Sequence, residues 1–93
     1  MAAYIVAEIE VTDAAGYEPY KKMAGESIQR HGGRFLARGG RTVALEGEKP
    51  KRVVVIEFPS VEAAEKFYHS PDYQVAAKLR QKASKGRLYI VEG

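Results

Sequence analysis

A chain of 93 residues accommodates one domain with a thin core, burying roughly 60–65% of its unfolded surface, so association would add stability. Fifteen Lys and Arg against twelve Asp and Glu leave a net charge of +3, too little to mark a nucleic-acid protein by itself. Cysteine is absent, which excludes disulfides, thiolate metal sites and a cysteine nucleophile. No apolar run approaches the roughly 20 residues of a membrane span, and Met1 to Tyr4 lacks a basic leader, so a cytoplasmic protein without a membrane partner is expected.

Tyr4 to Val11 alternates, with Ile5, Ala7, Ile9 and Val11 on one face and Tyr4, Val6, Glu8 and Glu10 on the other, the period of a strand. Thr12-Asp13 offers a helix cap and Gly16 a second start. Tyr17, Tyr20, Ala24, Ser27, Ile28 and His31 then form a helical stripe, which places Pro19 in the first turn, where its missing N–H is harmless. Gly32-Gly33 ends the helix. Arg34 to Ala37 resumes a strand that a bulge at Gly39-Gly40 interrupts and Thr42 to Leu45 continues. Glu46 to Lys51 reads as a polar hairpin loop, and Arg52 to Phe58, the most apolar strand, as a central one.

Ser60 caps a short helix with Val61, Ala64, Phe67 and Tyr68 inward. Ser70-Pro71-Asp72 starts another, with Val75, Ala76, Leu79 and Ala83 inward, Gly86 closing it and Leu88 to Val91 as the last strand. The basic group Lys78, Arg80, Lys82, Lys85 and Arg87 reads as a solvated face. The order is that of a single α+β domain over residues 1–93, a ferredoxin-like βαββαβ fold. Its four-stranded antiparallel sheet carries the helices on one face, in strand order 4-1-3-2. The other face would show Tyr4, Val6, Glu8, Val53, Val55 and Glu57, a mixture that a second copy would cover. A homodimer through that face is expected.

Several segments resemble the DUF1330 family, small proteins of uncharacterised function. They are Val11-Thr12-Asp13, Gly16-Tyr17, Tyr20, Gly32-Gly33-Arg34, Arg38-Gly39-Gly40, Glu46-Gly47, Arg52 to Phe58, Ser70-Pro71-Asp72-Tyr73, Leu79-Arg80 and Glu92-Gly93. The resemblance spans nearly the whole chain. It implies a dimeric α/β barrel, in a wider group that includes small monooxygenases, muconolactone isomerase and stress-related barrels. It brings no established catalytic residues.

Candidate chemistry lies at arginines and carboxylates. Arg38 and Arg52 each offer a rigid fork for a carboxylate or phosphate, with Gly39 and Gly40 admitting a ligand to the backbone; the structural alternative pairs them with Glu46 or Glu57. Glu8 and Glu57 are candidate acid and base groups if burial raises a pKa, although register places them toward different ends of the sheet. His69 is the candidate proton shuttle, and both His69 and His31 also suit a helix C-terminus. Tyr4 and Tyr73 are candidates to turn a hydroxyl into the cavity that a second copy on the open face would enclose. No spacing suits a metal, and Ser70, His69 and Asp72, neighbours on one turn, do not converge as a triad.

Two functions follow. One is a cofactor-independent enzyme, monooxygenase- or isomerase-like, acting on a small organic acid between sheet and dimer partner; no cofactor is expected. The other is a non-catalytic small-molecule-binding or stress-response module. RNA-recognition domains share the strand-helix order, but Val and Ile fill Arg52 to Phe58 where aromatics would stack on bases, so no nucleic-acid partner is expected.

Overall fold

The computed structural model describes Met1–Gly93. Its elements are β1 (Ala3–Val11), α1 (Ala14–Arg30), β2 (Arg34–Arg38), β3 (Arg52–Phe58), α2 (Val61–Tyr68), α3 (Pro71–Ala83) and β4 (Ser84–Glu92). The sheet runs β2-β3-β1-β4 with every neighbouring pair antiparallel, which is the expected order read from its other edge. Alternation sorts the central strands: Ala3, Ile5, Ala7 and Ile9 of β1 and Val54, Ile56 and Phe58 of β3 are buried under the helices. They form one core with Tyr17, Ile28, Phe67 and Tyr73.

Capping residues account for the helix starts. Asp13, Ser60 and Ser70 each accept from a first-turn N–H, of Gly16, Ala63 and Tyr73 respectively, satisfying donors that the helix leaves open. Because α1 starts at Ala14, Pro19 stands in the second turn rather than the first, where its ring removes one internal hydrogen bond. Gly32, at φ 81°, ends that helix as expected. Gly86 closes no helix: α3 stops at Ala83, whose carbonyl accepts the N–H groups of Thr12 and Asp13, and β4 begins at once. Gly86 lies within β4, so close to the Glu8 carbonyl that no side chain would fit.

Thr42 to Leu45 form no strand. Arg38 already stands opposite Val54, and Gly39, at φ 69°, donates to the Val53 carbonyl. Little of β3 then remains for later residues to pair with, and Val43 and Leu45 lie exposed. The bulge falls at Leu36 instead, since Phe35 faces Ile56 while Ala37 faces Val55. An extra residue reverses the in-out parity beyond it, which carries Arg38 to the helix side.

On α3 the inward stripe is Tyr73, Ala76, Ala77, Arg80 and Ala83. Val75 is exposed and Leu79 half-buried, contrary to expectation, because small alanines let α3 lie close against α1 on a different face.

Candidate functional site

The α3 stripe places Arg80 three and seven positions beyond Ala77 and Tyr73, on the helix face that enters the protein. Only 7% of it is exposed. Its Nε has no hydrogen-bond partner, and none of the ion pairs in the molecule includes it. Its guanidinium lies 6.0 Å from the centre of the Tyr20 ring, a favourable but partial compensation for lost water. The Tyr20 and Tyr73 hydroxyls share a hydrogen bond of 2.9 Å behind it. Burial, followed by the nearby Tyr73, pushes the Tyr20 phenol well above its usual range, so it stays protonated. Arg80 is a fixed buried cation without a carboxylate.

Beside it opens a cavity of about 600 Å³ between α2, α3 and the inner face of β4, a size that suits a small ligand. The opening follows from element lengths. The nine residues of β4 extend about 30 Å, whereas the eight residues of α2 extend about 12 Å and cannot cover them. Leu88 and Ile90 supply an apolar wall, Tyr68 an aromatic one, and Glu65 and His69 polar groups of α2. No hydrogen bond joins the Glu65, Tyr68, His69 and Arg80 side chains to one another. The cavity thus holds a buried cation with no ion-pair partner and no preassembled nucleophile-base pair.

The expected site residues are dispersed. His69 lines this cavity at the end of α2, with its ring edge-on to Tyr68. Tyr73 is only 1% exposed and its hydroxyl is held by Tyr20. Arg38, Gly39, Gly40 and Arg52 lie toward the β2 edge. Arg38 stacks 4.1 Å from the Phe35 ring centre and donates to the Lys21 carbonyl; Arg52 lies over Tyr17 and against Gly39. Both arginines are thus on the helix side, and a cavity outside the sheet cannot gather them. Parity explains it: the Leu36 bulge turns Arg38, and Arg52 shares its face with Val54, Ile56 and Phe58.

Neither arginine forms the alternative pair with Glu46 or Glu57. Glu57 instead accepts from Arg34 at 2.6 Å. Tyr4, Glu8 and Glu57 stay on the open face, where Glu57 opposes Tyr4 and Glu8 opposes Val53, about 13 Å apart along the strands. Glu8 accepts from Tyr89 at 2.9 Å and Arg87 at 3.2 Å. These contacts, Tyr89 first, lower its pKa, so it is held as a carboxylate rather than tuned as a general acid.

Asp72 engages His31 rather than His69, at 3.3 Å. Ser70 donates to the Phe67 carbonyl, which excludes a triad there. The principal residue that sequence reasoning misplaced is Arg80, grouped with the solvated Lys78, Lys82, Lys85 and Arg87, which are exposed. Its spacing from Tyr73, Ala76 and Ala77 was the available signal, since a cation on a stripe of alanines and tyrosine faces inward.

A four-stranded antiparallel sheet with its helices on one face, and a cation-bearing cavity beneath them, defines a ferredoxin-like α+β fold. The chain belongs to the family described as Domain of unknown function (DUF1330), which matches residues 2–93. No curated protein matches it in sequence. Among solved structures, it is similar to RPA0582, a protein of unknown function from Rhodopseudomonas palustris. That likeness has 24% identity and a TM-score of 0.80, covering 99% of this chain and 82% of that one. It is also similar to SnoaB, a cofactor-independent oxygenase from Streptomyces nogalater, with 13% identity and a TM-score of 0.72 over 99% of this chain and 92% of that one. The designed protein Foldit4, at 17% identity and a TM-score of 0.65, covers 100% of this chain and 99% of its own. At such identities the likeness establishes the fold and no activity.

Proposed function

We propose that the protein binds a small monoanionic organic acid in the cavity beside Arg80 and acts on it as a cofactor-independent enzyme, monooxygenase- or isomerase-like. The observation that carries this reading is the buried guanidinium that no carboxylate contacts, Glu65 of the same cavity included. An isolated buried charge is costly, and a ligand carboxylate would supply the missing partner through a forked pair of hydrogen bonds. Tyr68, Leu88 and Ile90 suit an aromatic or unsaturated body, and His69 is positioned to exchange a proton near the mouth. The likeness to a cofactor-independent oxygenase is consistent with this chemistry. A second reading, binding without turnover, is favoured by the absence of a hydrogen-bonded acid-base pair.

Calorimetry with benzoate, hydroxybenzoates, unsaturated acids and lactones, joined to oxygen uptake with quinols, tests both. Saturable binding that falls at least about tenfold in Arg80→Met, the cost of one charged hydrogen-bonded contact, is the expected result. Binding without turnover would select the second reading; equal affinity in the variant would overturn both.

A homodimer belongs to the same proposal. Val6, Val53, Val55, Tyr89 and Val91 give the open face an apolar centre, and the rim carboxylates Glu8 and Glu57 already have partners. A second copy packed sheet to sheet would bury this centre without stranding a charge.

A further inference from the structure

A second group of cations lies at the opposite edge of the helix layer, apart from the Arg80 cavity. Arg52 is half-buried and its Nε, sealed from water, has no partner. Arg38 reaches the same region from β2, close to Gly25 of α1. Lys21 adjoins both at the rim of a narrow apolar cleft, but its ammonium is matched by Glu18 at 3.0 Å. Arg38 and Arg52 form no ion pair. Arg38 also borders a groove of about 500 Å³ between α1 and β2, where Lys22 adds positive charge, Arg34 is already paired with Glu57 and Glu26 is the one carboxylate of the lining.

The charge balance distinguishes this place from the Arg80 cavity. There one unpaired guanidinium, in a lining that also holds Glu65, matches at most a monoanion. Here two guanidinium groups remain unneutralised at one cleft, and two positive charges match a dianion. A phosphate monoester carries between about −1.5 and −2 at neutral pH and offers three acceptor oxygens. Rigid guanidinium forks read phosphate oxygens well.

We propose that Arg38 and Arg52, on the same face of β2 and β3, form a phosphate site at the rim of the cleft they share on the α1–β2 edge. It takes inorganic phosphate or the terminal phosphate of a small monoester. The site is independent of the acid-binding cavity.

Amide and arginine Nε resonances, followed by NMR at constant ionic strength, read each site separately. Inorganic phosphate is expected to shift Gly39, Gly40 and the Arg52 Nε saturably, with no loss of affinity in Arg80→Met and at least a tenfold loss in Arg38→Gln. Arg38 is exposed, so this variant is expected to fold; Arg52→Gln provides the second test. Glycerol phosphate, titrated in parallel, distinguishes the sources, and tighter binding of either compound supports the site. Absence of saturation, undiminished affinity in Arg38→Gln, or equal affinity for benzoate would overturn the proposal. Failure of benzoate to perturb Leu88 and Ile90 would instead count against the acid-binding cavity alone.

Discussion

Arg80 and a function-based role for it can be separated from a merely structural one by stability. A guanidinium kept for packing would leave the protein weaker when replaced. A buried cation kept for a ligand is a standing cost, and apolar replacement of such charges is often neutral or stabilising. Arg80→Met is therefore expected to hold or raise Tm in thermal denaturation while weakening acid binding at least about tenfold, and a clear fall in Tm would assign Arg80 to the scaffold. Its neighbour gives a smaller effect: Tyr20→Phe removes one buried hydroxyl of the Tyr20–Tyr73 pair and is expected to cost about 1 kcal/mol in urea unfolding. Gly86→Ala forces a methyl against the Glu8 backbone. Overpacking of this kind typically costs roughly 1–3 kcal/mol, and an unchanged denaturation midpoint would show that β4 shifts freely.

Between elements, Asp72 ties the start of α3 to the end of α1. Ser27 donates to it at 2.7 Å and Arg30 at 2.5 Å, with the His31 ring at 3.3 Å. Chiefly the Ser27 hydroxyl, with Ser70, His31 and Arg30 beside it, holds the carboxyl well below its usual range. A carboxyl depressed on folding contributes stability above its unfolded pKa, about 3.9, and loses it as pH falls toward the folded value. Asp72→Asn is accordingly expected to lower Tm at pH 7, and the gap from wild type should narrow between about pH 4 and pH 2. A gap independent of pH would mean that the contacts act through shape rather than charge. Much of this element-level structure was legible in the chain, including the capping at Ser60 and Ser70 and the buried faces of β1 and β3. Pro19 misled because a helix can begin earlier at Asp13 and tolerate proline in its second turn. Thr42 to Leu45 misled because a strand-like composition cannot form a strand where no partner backbone remains.

As a whole, the molecule is a slab of about 30 × 30 × 16 Å, one sheet and one helix layer thick. A two-layer protein of this size leaves its outer sheet face in water unless another surface covers it. Scattering at micromolar concentration is expected to give twice the chain mass. Val55→Asp, at the centre of that face, is expected to yield monomers that retain the circular dichroism of the parent. Monomeric wild-type protein would dissolve the dimer proposal while leaving both cation sites intact, since each lies on the helix side.

Read alone, the residues determined strand and helix order and the sheet order, because periodicity, caps and glycine turns act over a few neighbouring positions; the family came from the resemblance of particular segments, such as Arg52 to Phe58. Which side chains meet was decided in three dimensions. One bulged residue at Leu36 carried Arg38 across the sheet, and the face on which α3 meets α1 drew Arg80 out of an apparently solvated run. Parity and burial depend on contacts between distant segments, so local pattern could not place either arginine.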